Sequence, residues 1–591
     1  MANLIIPNPS SHDVVSFNIL VNDTEINPSY QVLSISIIKE VNRIAIAKII
    51  LRDGDAALSN FEVSDTDDFL PGKTIKIKLG FDSTNAQQFT GIITKHAIKI
   101  KESGAAELQI DCCDEAVRMT IGRHSHYYEN VTDSQVFDEL IGQYSGLQSD
   151  TESTALTHKE LVQHSMTDWD FMLLRAEANG MLVHVNDSTI KINKPDTSPS
   201  PVLEVTYGTS ILEFEAEMDA RYQWKNVAAT SWDYTNQNLF TSETSEANTF
   251  RQHGNVSSSQ LANTINLNKY SLQHSGHLQE QELKTWVDGV MMRSRLAKIR
   301  GRARVTGFGG IKTGDMLKLS GVGNRFNGNA FVTAVTQSIA DGTWYTHIQF
   351  GLDAQRFSHI HPDADDLLSG GLLSSIHGLQ VGKVVQLQSD PDGEARILVK
   401  IPVIDNNAEG IWVRVASLDA GQNRGAFFMP EIDDEVIVGF INGDPRHAVM
   451  LGMMHSSAKP VPINITDTNH EKGIFTRSNM RIHFNDDTKT ITIDTPAGNS
   501  IKLDEQGTMI EIKDQNNNKV TMDSAGVKME SPMDVEIKAG TNLTLSAGAT
   551  LSIGGVSISI KADGSLALEG AMSNLKASGI TEVTGSLVKI N

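Results

Sequence analysis

The sequence predicts a mostly-β chain of several domains that ends in a β-prism shared between copies of itself. Three observations carry this expectation. Apolar and polar residues alternate along most of the chain, as half-buried strands require. Its 591 residues exceed what a single core can serve, so about three to five domains are expected. The C-terminal stretch repeats every eight residues, and so short a unit cannot bury its face alone.

From the N-terminus, residues 13–113 read as successive strands ("FNILVND", "QVLSISIIKEVNRIAIAKIILRD", "KTIKIKLGF", "FTGIITKHAIKI") with turn signals at the spacing of a barrel or sandwich. Cys112 and Cys113 are adjacent, too close along the chain for an ordinary disulfide. They are expected to stay reduced on a strand, one facing the core, which suits a reducing compartment. "TDSQVFDELIGQYSGL" predicts a capped helix. So does "TDWDFMLLRAEANG", with Thr167 as N-cap, Asp170 three residues on, Trp169, Met172, Leu173 and Ala176 on one face, and Gly180 at the C-terminal cap. Strands resume near 203. Residues 283–304 predict a helix running into a strand. Arg293, Arg295, Lys298, Arg300, Arg302 and Arg304 crowd into twelve residues without an acid. A nucleic-acid patch is the sharp reading of that cluster; a solvated or subunit-facing helix is favoured over it.

A connector follows at 357–376, and then a compact β domain at about 377–457 with turns such as "SDPDGEA" and "INGDPR". The last region opens with polar units near 473 and tightens into the repeat: Val535, Leu543 and Leu551 in one column, Ile537, Leu545 and Ile553 in another. Gly540 and Gly548 mark corners, and residues 539–560 hold no charge, proline or aromatic ring. Such a stretch is aggregation-prone unless its edges are paired. Several chains winding about one axis would pair them. A flexible linker has no reason to keep Val, Ile and Leu in register.

The formal net charge of -22 disfavours a general nucleic-acid or membrane-surface binder. No basic region followed by an apolar core opens the chain, so no signal peptide is expected, and no apolar run reaches membrane-spanning length.

The stretch "GIWVRVASLDAGQNRGAFFMPEIDDEVIVGFINGDPRHAVMLGMMHS" at 410–456 resembles the small OB-fold domain of VgrG spike proteins from contractile injection systems. Trp412, Arg414, Gly421, Pro430, Glu435, Gly443, Asp444 and Pro445 carry the match. Asp168, Trp169, Phe171 and Gly180 resemble a hub-helix hallmark, and "EVTGSLVKIN" is similar to the way such spikes finish. The resemblance implies hub β-barrel 1 at 1–120, a mixed α/β hub segment at 121–205, hub β-barrel 2 at 206–358, a linker at 359–376, the OB-fold domain at 377–457, a linker at 458–472, and a trimeric β-helix needle at 473–591. It further implies a homotrimer docked on an inner tube protein, baseplate proteins around it, effector cargo, and a PAAR-like tip protein seated at Leu587, Ile590 and Asn591. Assembly in the cytoplasm, then secretion or release within an injection particle, is the expected itinerary.

No catalytic constellation is visible and no cofactor is expected. The gap between the OB match and the repeats cannot hold the lysozyme of some phage spikes, nor is a toxic C-terminal extension expected. A peptidoglycan-hydrolysing spike and an adhesin-like solenoid are therefore the disfavoured alternatives. His124 with His126, and His359 with His361, have spacings that admit a shared metal, but surface histidines are the default. "DPDGE" at 390–394 lacks the remaining positions of a calcium loop and reads as a turn. An OB domain also invites single-stranded nucleic acid. Six Lys/Arg against eleven acids between 377 and 458 oppose that.

Overall fold

A computed structural model describes residues 14–102, 105–244, 253–361, 364 and 367–590. Strands hold 40% of it and helices 11%. The chain divides into two compact units: one runs to Gln380 and includes 438–449, and the other comprises 381–437 with 450 onward.

The first unit begins with strands β1 (Val15–Val21), β2 (Thr24–Glu25), β3 (Val32–Glu40), β4 (Ile46–Arg52), β5 (Thr74–Phe81), β6 (Thr84–Lys99) and β7 (Glu107–Cys113). Alternation does what the pattern predicts: Ile35, Ile37, Ile49, Leu51, Ile75, Ile77, Leu108 and Ile110 are buried while their neighbours reach outward. Cys112 is buried and Cys113 partly so; both are free thiols, and burial pushes both thiol pKa values up. Next come β8 (His124–Thr132), α1 (Asp133–Gly142), β9 (Gln148–Thr151), β10 (Thr157–Met166), α2 (Asp168–Ala178), β11 (Leu182–Asn186) and β12 (Thr189–Asn193). Thr132 starts α1 with a complete capping box. The core of this region, with Phe137, Leu140, Met172 and Val183, is continuous with that of the first strands.

The second stretch of strands comprises β13 (Leu203–Thr206), β14 (Glu213–Met218), β15 (Asn226–Asp233), β16 (Asn238–Thr244), β17 (Lys269–His274), β18 (Ile299–Thr306), β19 (Met316–Ser320), β20 (Gly328–Ala340) and β21 (Thr343–Phe350). Three helices accompany them, α3 (Ser258–Ile265), α4 (Glu280–Leu296) and the single turn α5 (Phe357–Ile360). The sequence separates 1–120 from 206–358 as two barrels, yet one sheet runs through both, in the order β14-β18-β21-β20-β3-β4-β7-β6-β5-β1-β2. The reason is the length of β20. Its thirteen residues pair with β19 through Gly328–Phe331 and with β3 through 334–340, so no break in hydrogen bonding falls between the two stretches.

Strands β22 (Gln380–Gln386), β23 (Ile397–Lys400), β24 (Ile411–Val415), β27 (Glu435–Phe440) and β28 (Ala448–Met453) close a small barrel, with β25 (Ala420–Gly421) and β26 (Arg424–Gly425) as a separate hairpin. Val384, Ile397, Val399, Val413, Val436 and Met450 fill it. Beyond the barrel, β29 (Glu471–Phe475), β30 (Arg481–Asn485), β31 (Thr490–Asp494), β32 (Ser500–Asp504), β33 (Met509–Lys513), β34 (Lys519–Asp523) and β35 (Gly526–Glu530) form an antiparallel meander. Residues 531–590 hold no helix or strand, and no strand pairing to them occurs among the described residues. Bends recur at 540–541, 548–549, 556, 563–564, 571–572, 578–579 and 586. The corner period thus persists after the glycines drift from it.

Candidate functional site

The hub helix α2 is held by its ends. Thr167 Oγ1 accepts from the Asp170 amide at 3.0 Å, and Gly180, just past the helix, adopts φ +66°. Gly180 does a second thing. A Cβ there would lie 2.7 Å from the Cα of Gly289 in α4, so two bare backbones meet. Trp169 and Phe171 are buried at 5% exposure each. Asp168, the first residue of the helix, is also buried. Its carboxylate accepts from Tyr144 Oη (2.6 Å) and Gln163 Nε2 (2.7 Å), and His124 Nδ1 lies 2.9 Å away. Aspartate here satisfies a helix N-terminus and gathers three side chains.

A second buried carboxylate was not legible as important. Asp133 starts α1 and accepts from Arg175 Nε (2.7 Å) and Asn179 Nδ2 (2.8 Å), with His158 Nε2 at 2.9 Å. Burial pushes its pKa up, but hydrogen bonds from His158 and Arg175 outweigh that and hold it well below the usual carboxylate range. Arg175 and Asn179 ride on or just after α2, so Asp133 fastens α1 to α2.

The basic stretch 293–304 is not one solvated helix face: its first three cations are buried and its last three lie on a strand. Arg293 is buried, donating to Glu177 Oε1 at 2.7 Å and to the carbonyls of Asp353 and Gln355. Arg295 donates to the Trp224 carbonyl, and Lys298 to those of His253 and Val256. Arg300, Arg302 and Arg304 sit on β18 opposite Glu217, Glu215 and Glu213 of β14, with ion pairs of 2.7–2.8 Å. Each cation is matched by partners distant in sequence. The hub face carrying Arg300 and Arg302 borders an open groove of about 1230 Å³ that Trp169 and Asp170 also line. Five acids and four arginines line it, together with His361.

His124 and His126 lie on β8; the former meets Asp168, and the latter stands edge-on to Tyr128 at 4.6 Å. His359 lies on α5, and the His361 ring contacts Phe357 at 4.9 Å. Among the described residues no group of three or more His, Cys, Asp or Glu side chains gathers as metal donors. Asp390 folds its own turn, accepting from Arg396 and from the amides of Asp392 and Glu394.

In the OB barrel, Trp412 and Arg414 lie on β24, half-buried and exposed respectively. Gly421 belongs to the hairpin, where a Cβ would strike the Arg424 guanidinium. Pro430 is buried, and the Glu435 carbonyl accepts from the Met454 amide. Gly443, Asp444 and Pro445 make the turn from β27 to β28. Gly443 takes φ +66° and its carbonyl accepts from Ile376 of the connector. Asp444 bonds the Arg446 side chain and amide, which lowers its pKa to about 2. The motif is turn chemistry.

The shaft presents the least expected surface. Two apolar ladders cross the meander, residue opposite residue: Ile482, Ile493, Ile501, Ile512, Val520 and Met529 in one, Phe484, Ile491, Leu503, Ile510, Met522 and Val527 in the other. Apart from half-buried Val520, these side chains are 36–68% exposed. The opposite face carries Thr, Lys and Asp, tied by pairs such as Arg481–Asp494 (2.7 Å) and Lys519–Glu511 (2.8 Å). The I-x-I and I-x-L steps in "TITID", "SIKLD" and "MIEIK" are the signal that reveals the ladders. Below them, Val535, Ile537, Leu543, Leu545, Leu551 and Ile553 are 55–63% exposed. At the end, Leu587 and Ile590 are exposed, and Asn591 lies outside the described residues.

The family model described as "Alg8 N-terminal domain" matches residues 11–341, more than half of the chain. That described as "Type VI secretion system/phage-baseplate injector OB domain" matches 380–455. The type VI secretion system spike protein VgrG1b of Pseudomonas aeruginosa is 25% identical over 215 residues, covering 34% of this chain and 28% of VgrG1b. VgrG1a of the same bacterium is 33% identical over 73 residues, 12% of this chain and 11% of VgrG1a. The chain thus spans under a third of the length of these relatives. Among solved structures, an Escherichia coli type VI secretion system component is 12% identical with a TM-score of 0.37, covering 74% of this chain and 99% of its own. A tail protein of Neisseria meningitidis is 13% identical with a TM-score of 0.43, covering 60% and 99%. The chain belongs to the family described as the Alg8 N-terminal domain, and its injector OB domain and curated relatives make it similar to VgrG spike proteins.

Proposed function

We propose that three copies of this chain form the hub and spike at the front of a contractile injection system, capping the inner tube and piercing the target envelope when the sheath contracts. One observation carries the reading: the shaft aligns its apolar residues into ladders and leaves them in water. At about 25 cal/mol per Å² of apolar surface, such a wall is costly for a lone chain and strongly favourable when three walls face one axis. Below the meander the backbone has no strand partner among the described residues, so its N–H and C=O groups call for other chains too. Intertwined strands suit a piercing tool, because none can peel off without breaking its neighbours' ladders.

On this reading the hub meets the inner tube protein and baseplate proteins, Leu587 to Asn591 seat a PAAR-like tip, and effector cargo travels with the tube or tip. The protein assembles in the cytoplasm and leaves it within the particle, acting by mechanics without an enzymatic step. Native mass spectrometry at micromolar concentration is expected to give three chains; a stable monomer sinks the proposal. Deleting 535–591 is expected to abolish tip attachment and injection while hub assembly persists.

A further inference from the structure

The two halves of the shaft solve different problems. In the repeat, Val535, Leu543 and Leu551 are interchangeable aliphatics eight residues apart, flanked by Gly540 and Gly548 and free of charge. Sliding one chain by eight residues against two others therefore replaces each contact by a near-equivalent one. Register is poorly specified where side chains do not differ. The meander differs in both respects. Its strands pair within one chain, so each wall forms with its own register already fixed. One ladder holds isoleucine on four successive strands, but the other does not repeat: Phe484, Ile491, Leu503, Ile510, Met522 and Val527 follow in turn, with the one aromatic ring at one end. A wall shifted by one strand would face mismatched volumes, which close packing penalises. The two halves are joined without slack. Ser531 Oγ donates to Asn518 Oδ1 at 2.6 Å and accepts from the Met533 amide at 3.1 Å, anchoring the chain just before the first repeat.

We infer that residues 471–530 are a register clamp: three walls dock through their non-repeating apolar faces and set the axial alignment that the repeats below cannot set for themselves. The inference rests on the three-chain reading, and the two fail differently. A monomeric wild-type chain sinks the trimer; a trimer aligned from its far end sinks the clamp alone.

The test uses the full chain with Cys113→Ser, since buried Cys112 resists labelling, and a spin label at Lys538→Cys or Lys576→Cys. Chains of natural length are mixed with chains lacking 541–548, one whole repeat, and mixed trimers are purified. Clamp-set register predicts one interchain distance population at position 538, upstream of the deletion, and at least two at 576, downstream of it. The reverse pattern overturns the clamp. In a second variant, Phe484→Ser, Leu503→Ser and Met522→Ser are combined in chains of equal length. Trimers of that variant are expected to split the single population at 538 into several; an unsplit population overturns the inference. Should that variant not trimerise, the mixed-length trimers decide.

Discussion

In the hub, every second strand residue disappears into a core made by the same chain: Ile35, Ile49 and Ile110 have no exposure at all. In the shaft, the same residue types on strands of similar alternation stay open to water, Ile493 at 43% and Leu545 at 60%. The difference is thickness. A thirteen-stranded sheet can curl over its own apolar face, whereas five-residue strands make a ribbon too narrow to do so. Stability should accordingly be a property of one chain in the hub and of the assembly in the shaft.

On the proposed three-chain assembly, the largest effect is expected where three copies are hit at once. Leu545→Asp should remove roughly 1.5–3 kcal/mol per chain, hence about 5–9 per trimer, before the cost of a buried charge. Native mass spectra should show trimers lost or sharply concentration-dependent, while the hub's unfolding transition stays put. A hub transition that fell with the trimer would erase the distinction. Next comes Asp133→Ala, which strips the partner from buried His158 and Asn179 and from half-buried Arg175. About 3–5 kcal/mol of hub stability should vanish at any protein concentration, read by denaturant unfolding. Asp133→Asn, keeping acceptor capacity, should recover part of it.

What the sequence disclosed follows the range of the forces involved. Helix α2 was legible because its signals are local: Thr167 caps it and Gly180 ends it. The close approach of Gly180 to Gly289 was hidden, since the second glycine lies over a hundred residues on. The basic stretch misled for the same reason. Charge suggests water, yet the carbonyls that receive Arg293 and Arg295 come from residues 353–355 and 224, and the acids opposite Arg300, Arg302 and Arg304 lie on a strand some eighty residues upstream. The eight-residue repeat announced itself, but the ladders above it went unread because polar residues separate their isoleucines and the step is longer. OB residues such as Gly443 and Asp444 were legible as turn formers, whose requirements are local.

Acid should sharpen the comparison, because buried histidines are a hub feature. Burial holds His184 and His253 down at about 4, against roughly 6.5 in an unfolded chain. Between those values the unfolded state binds more protons, so hub stability rises with pH there and is lost as pH falls from 6.5 toward 4. Each residue accounts for up to about 3 kcal/mol at the acid end. His184→Gln should flatten the hub's pH dependence between 4 and 6.5 and leave trimerisation through the shaft unchanged; an unaltered slope counts against this account.

The smallest effect is expected at Arg302, and its smallness is informative. Its pair with Glu215 leaves both side chains more than 70% exposed, so solvent and salt screen it and Arg302→Ala should cost under about 1 kcal/mol. Seven residues upstream in the same run, Arg295 has a side chain that is almost wholly buried and donates to the Trp224 carbonyl. Arg295→Ala should therefore cost several times more, about 2–4 kcal/mol, through lost packing and an orphaned carbonyl. Measured together by hub unfolding in low and high salt, the Arg302 loss should shrink with added salt and the Arg295 loss should not. Two arginines from one basic run, one on an open strand face and one sealed beneath a loop, would then differ for the same reason that hub and shaft differ: whether their own chain covers them.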